Sequence, residues 1–152
     1  MLTPAHAPAL ARALSLCVGA MALSLSSLAW ADKADRSQPL VFAADAARVD
    51  EAQRLNVLTG NVDITKGTMA IRADRVEVRQ GADGTQTATA TGGQGGRSYF
   101  KQKREGVDEL IEGEAEKIVY EGRDDTVHFT GRAVMRRIVA GVAADEVNGQ
   151  AI

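Results

Sequence analysis

Four stretches of this chain hold residue types that could do chemistry. They are His128, the pair Asp124-Asp125, the run Gly92-Gly93-Gln94-Gly95-Gly96, and Tyr99-Phe100 followed by Lys101-Gln102-Lys103-Arg104. Acid–base catalysis would ask His128 to work beside a nucleophile, but it alternates with Val127 and Phe129 and so points away from their apolar face. The chain has two histidines and one cysteine. His6 and Cys17 fall in the leader described below, so a transition-metal site would rest on carboxylates. Asp124-Asp125 reads as a turn, because a glycosidase pair needs a partner carboxyl of raised pKa in a cleft. The glycine run lacks the lysine and hydroxyl of a phosphate loop, and no strand–helix frame surrounds it; it reads as a connector. Lys101 to Arg104 reads as a solvated hairpin tip. Its other reading is a contact for an anionic amphiphile, phosphates on the basic side and acyl chains on the rings. These residues point to no enzyme, no cofactor and no metal.

The positioning elements must therefore be sought in the pattern of the whole chain. Met1 to Trp30 contain no acidic residue, and Ala13 to Leu28 are small or apolar apart from serines. Ala29-Trp30-Ala31 then offers a small-x-small cleavage site, so residues 1–31 read as a secretory signal peptide cut after Ala31. An uncleaved anchor is the competing reading. A lipoprotein signal at Cys17 fits less well, since Leu16 stands where a small residue is wanted. Residues 32–152 are expected to form one periplasmic domain without a disulfide. The net charge of the chain is −2, with the signs interleaved, which speaks against nucleic acid as a partner.

A short phrase occurs twice, as Leu58-Thr59-Gly60-Asn61-Val62 and Phe129-Thr130-Gly131-Arg132-Ala133. An acidic, alanine-containing stretch precedes each, around Asp45 and around Glu114-Ala115-Glu116. This implies an all-β chain of two related halves, with function on a continuous face rather than at a point. The alternation predicts strands nearly throughout. Leu58, Gly60, Val62 and Ile64 share one face, as do Val127, Phe129, Gly131, Ala133 and Met135. Parity changes between Ala73 and Val76, which predicts a bend near Asp74. Thr85 to Thr91 predicts a weakly apolar strand at an edge or over a thin part of the core, and Asn148 to Ile152 the start of a further strand. The large members of the apolar stripe are Leu40, Phe42, Leu58, Val62, Ile64, Ile118, Tyr120, Val127, Phe129 and Met135. They either fill a core or line a groove for an elongated apolar ligand.

Gln38-Pro39-Leu40-Val41-Phe42-Ala43-Ala44-Asp45, the two Thr-Gly phrases, Gly67-Thr68, Ile71-Arg72-Ala73-Asp74-Arg75-Val76 and Ile111 to Tyr120 together resemble the OstA-like family. The likeness covers residues 38–149, and its order and spacing are more specific than any one motif. The resemblance implies an elongated β-jellyroll of two antiparallel sheets, open at both ends, with an apolar interior. It implies a periplasmic carrier that shields the lipid A acyl chains of lipopolysaccharide and stacks head to tail with its own copies. The implied partners are an inner-membrane protein of LptC type and an outer-membrane protein of LptD type. Family interior positions carry over onto Leu40, Phe42, Tyr99 and Tyr120; alternation adds Leu58, Ile118 and Phe129 as lipid-binding residues. Asn56, where the second half has Val127, and Gly122 depart from the pattern. The alternatives are another OstA-domain module of the same pathway, LptC-like or otherwise, and a structural β module without ligand.

Overall fold

The computed structural model describes residues 37–152; the expected leader and its cleavage after Ala31 lie outside them. Ten strands follow one another: β1 (Val41–Ala43), β2 (Ala46–Asp50), β3 (Leu55–Lys66), β4 (Met69–Gln80), β5 (Gln86–Thr91), β6 (Ser98–Arg104), β7 (Glu109–Ala115), β8 (Lys117–Glu121), β9 (Thr126–Val139) and β10 (Val142–Ala151). Among the described residues the one helical element is a 3-10 turn, Gln94–Gly96. Every pairing between strands is antiparallel.

β3, β4 and β9 are 12, 12 and 14 residues long, against a common strand length of about 5–6, because each serves two sheets. β3 pairs with β2 over Leu55–Thr59 and with β1 over Asp63–Thr65. β4 pairs with β6 over Ala70–Arg72 and with β5 over Arg75–Gln80. β9 pairs with β8 over Thr126–Thr130 and with β7 over Val134–Val139. One sheet therefore holds β2, β5, β8 and the matching halves of the three long strands. The other holds β1, β6, β7 and the remaining halves, with β10 along β9. The Phe100 ring of the second sheet meets the Phe129 ring of the first edge to face, centroids 5.5 Å apart. The sheets thus pack face to face around a shared interior.

The Thr-Gly phrase turns out to be the corner joining the sheets. Alternation was expected to carry Gly60 and Gly131 along the inner face; instead it stops at them. Gly60 and Asn61 have φ of 78° and 45°, and Gly131 and Arg132 have 82° and 44°. Two consecutive left-handed residues swing the strand from one sheet into the other. In both halves the partner strand breaks at an acidic residue whose N–H donates to the glycine carbonyl, Asp45 to Gly60 and Glu116 to Gly131, each at 2.9 Å. The side chains then close the corner. Asn61 Nδ2 donates to Asp45 Oδ2 at 2.8 Å, and Arg132 Nε donates to Glu116 Oε1 at 2.6 Å. The expected bend at Asp74 lies on the same line, and its carboxylate accepts the Gly93 N–H at 2.8 Å.

Two local expectations are settled. β5, expected at an edge or over a thin part of the core, lies between β4 and β8, which excludes the edge. Its Ala88 and Ala90, each 1% exposed, pair with Tyr120 and Ile118 and leave room for those larger side chains. Asn148 to Ala151 completes β10 rather than beginning another strand.

Candidate functional site: the interior between the sheets

Strand alternation puts Val62 and Ile64 of β3, Ile71 of β4, Ile118 of β8 and Phe129 of β9 on facing inner surfaces, each at most 1% exposed. Leu58, Ile118, Tyr120 and Phe129, predicted as lipid-binding, come together in this one cluster, and Leu40 and Phe42 pack half-buried on its margin. β7 passes close against the Phe129 ring at Gly113. A Cβ on Gly113 would lie 2.5 Å from Phe129 Cε1, so only glycine lets the ring seat against that backbone. His128 and Asn61 are exposed on the outside, as alternation requires.

Tyr99 is not brought into the interior. It shares the outer face with Lys101, while Ser98 and Phe100 of the same strand are buried. Its cross-strand neighbours are Arg72 and Glu114, and its hydroxyl donates to Glu112 at 2.8 Å. Burial, then Glu112, pushes the phenol up to about 12. Phe100 holds the inner place; its alternation with Ser98 was the available signal. Tyr99 instead helps to line an outer groove of about 900 Å³ beside the corner. The groove carries the ion pairs Arg72–Asp63 and Arg97–Glu114. Of the two departures, Asn56 is exposed, and Gly122 donates its N–H to the Gln86 carbonyl at 2.8 Å.

Among the described residues, Lys66 is the charged side chain buried on the inner face, and the sequence reading missed it. Lys66 continues the inner-face series Val62, Ile64 at the end of β3, and is 9% exposed. Its ammonium reaches across to the other sheet, donating to Tyr120 Oη at 2.7 Å and to Asp125 Oδ1 at 3.0 Å. Tyr120 in turn donates to the same Asp125 oxygen at 2.8 Å, and the ammonium stands 5.3 Å from the centre of the Tyr120 ring. These three groups form a clasp between the sheets on the side away from the corner. The parity of Lys66 with Ile64 was a legible signal for it.

The clasp has a pH signature. Burial opposes the charge on Lys66, but its hydrogen bonds to Tyr120 and Asp125 outweigh that and raise its pKa above 10.5. Burial raises the Tyr120 phenol above 10.0. Both groups hold their protons more tightly when folded, so their contribution is complete below the unfolded values and is lost as pH rises through the folded ones. The melting-temperature gap between the parent protein and Lys66→Met is therefore expected to shrink from pH 9 to pH 12. A gap that stays constant over that range would count against the clasp.

The geometry defines a class: a two-sheet jellyroll closed around an apolar interior. The family described as LptA/(LptD N-terminal domain) LPS transport protein matches residues 42–152. The lipopolysaccharide export system protein LptA of Escherichia coli K12 is 30% identical over 134 residues, covering 88% of this chain and 71% of that protein. LptH of Pseudomonas aeruginosa is 32% identical over 90 residues, 59% of this chain and 50% of that one. The crystal structure of P. aeruginosa LptH superposes with a TM-score of 0.68 at 24% identity, covering 78% of this chain and 76% of its own; it supports the jellyroll fold. The chain belongs to the LptA/LptD N-terminal domain family of lipopolysaccharide transport proteins.

Proposed function

We propose that this protein carries lipopolysaccharide through the periplasm, sheltering the lipid A acyl chains between its two sheets. The observation that carries this reading is the closed apolar interior between the sheets together with an exposed valine on the inner-face register at each margin. Val49 pairs with Asn56 on the inner-face register of β2, and Val147 pairs with Met135 on that of β10. They are 66% and 55% exposed, so each margin keeps one large apolar side chain open to an acyl chain. β1 and β2 pair only with β3, and β10 only with β9. These free strand edges suit head-to-tail addition of another copy, and of inner-membrane LptC-type and outer-membrane LptD-type partners, by β-augmentation.

The proposed lipid-contacting residues are Leu40, Phe42, Leu58, Ile118, Tyr120 and Phe129, with Phe100 in the place first given to Tyr99. Photo-crosslinking amino acids at Phe42, Phe100, Tyr120 and Phe129 are expected to capture lipopolysaccharide in cells. The same probes at Tyr99, Thr59, Asn61 and His128 are expected to capture little. Equal capture from both sets would show that the ligand does not follow the inner face.

A further inference from the structure

A lysine on the inner face of an apolar sheet is costly unless its charge is used. Lys66 is the last residue of β3 and Asp125 precedes the first residue of β9, so both stand at the rims where the sheets end. Amphiphiles place their polar group at such a boundary, with their chains inside. The inner surfaces are packed against one another by residues such as Ile118 and Phe129, so a ligand entering between them must part the sheets. On the side away from the corner, parting them separates Lys66 from both Tyr120 and Asp125, and would leave the ammonium needing an anion large enough to bridge the widened gap to Tyr120.

We propose that Lys66 and Tyr120 form a phosphate-binding site at the rim of the interior, which the Asp125 carboxylate occupies in the ligand-free protein. The site deepens the lipid-carrier reading and rests on it. A phosphate monoester at the head of an acylated sugar offers several acceptor oxygens, where the carboxylate offers one to both Lys66 and Tyr120. The incoming phosphate accepts from the ammonium and from the Tyr120 hydroxyl, and Asp125 swings toward solvent with its turn. The exchange trades one charge-assisted pair for another, so unclasping need not leave a buried charge unpaired. Asp125 thus favours ligands with an anionic head over neutral lipids, which cannot replace it.

The test compares binding of lipid A carrying its phosphates with that of the same lipid after phosphatase treatment. The parent protein is expected to bind both and to prefer the phosphorylated form. Lys66→Met should abolish that preference, a loss of about tenfold in the affinity ratio, while keeping affinity for the dephosphorylated lipid. Asp125→Asn, which leaves the ammonium and removes its competitor, should widen the preference, and it keeps the test open if Lys66→Met folds poorly. An unchanged ratio in both variants, or an equal loss of both lipids in Asp125→Asn, would reduce the clasp to a structural contact and overturn the proposal. A parent protein that binds neither lipid would instead overturn the carrier reading on which the proposal rests.

Discussion

Phe129→Ala is expected to lower the stability of this domain by about 3–5 kcal/mol, the usual cost of deleting a buried ring. The ring is 1% exposed and has no easy replacement. Its edge-to-face partner Phe100 stands on the opposite sheet, with ring planes 82° apart, and beneath it lies the Gly113 backbone, which has no side chain to move into the gap. Ala88, Ala90, Ala115 and Ala133 belong to the same buried cluster, and alanine side chains cannot lengthen to fill a void. Urea titration measures the effect as a lower midpoint with an unchanged slope. A double-mutant cycle with Phe100→Ala should return a coupling of about 0.5–1.5 kcal/mol. A loss below about 1 kcal/mol would mean that the two sheets do not meet at this ring.

Much of this architecture could be read from the chain before its structure, for a definite physical reason. A half-buried strand writes its face into the sequence with a period of two, and Val62, Ile64, Ile118, Tyr120 and Phe129 all obeyed it. What alternation could not give was the relation between strands. Lys66 and Asp125 meet only because the far ends of β3 and β8–β9 come together across the interior, which no local period encodes. Tyr99 was misplaced because an aromatic identity carried over from the family outweighed the parity of Phe100 with Ser98. The outer face at Tyr99 is stabilised instead by hydrogen bonding to Glu112. For β5 the edge stayed open as an alternative because small residues suggest one, although they also occur where a neighbour's large side chains need room.

The repeated Thr-Gly phrase yields the second large effect, and its size can be separated into parts. Gly131 at φ 82° would be strained by any side chain, and a Cβ there would also run into the Glu116 carboxylate and Cβ. Gly95 has φ 67° but open space around its Cβ position, so Gly95→Ala should pay the backbone strain alone, about 1 kcal/mol. Gly131→Ala should cost more, about 2–4 kcal/mol, because Glu116 must give way and its bond to Arg132 must break. Truncating the obstacle separates the two terms: in a Glu116→Ala background, Gly131→Ala should fall back toward the Gly95 value. Thermal melts of the parent and these four variants measure this directly. The same penalty is expected at Gly60, where a Cβ would lie 2.5 Å from Asp45 Oδ2, since the two corners share one construction. If Gly131→Ala cost no more than Gly95→Ala, the acidic residue before each phrase would have no part in the corner. The pairing of glycine with an upstream acid, which makes both halves of the chain recognisable, would then need another cause. If the costs separate as expected, the repeat is conserved between the halves by geometry: a carboxylate tucked under a left-handed glycine turns one long strand from the first sheet into the second.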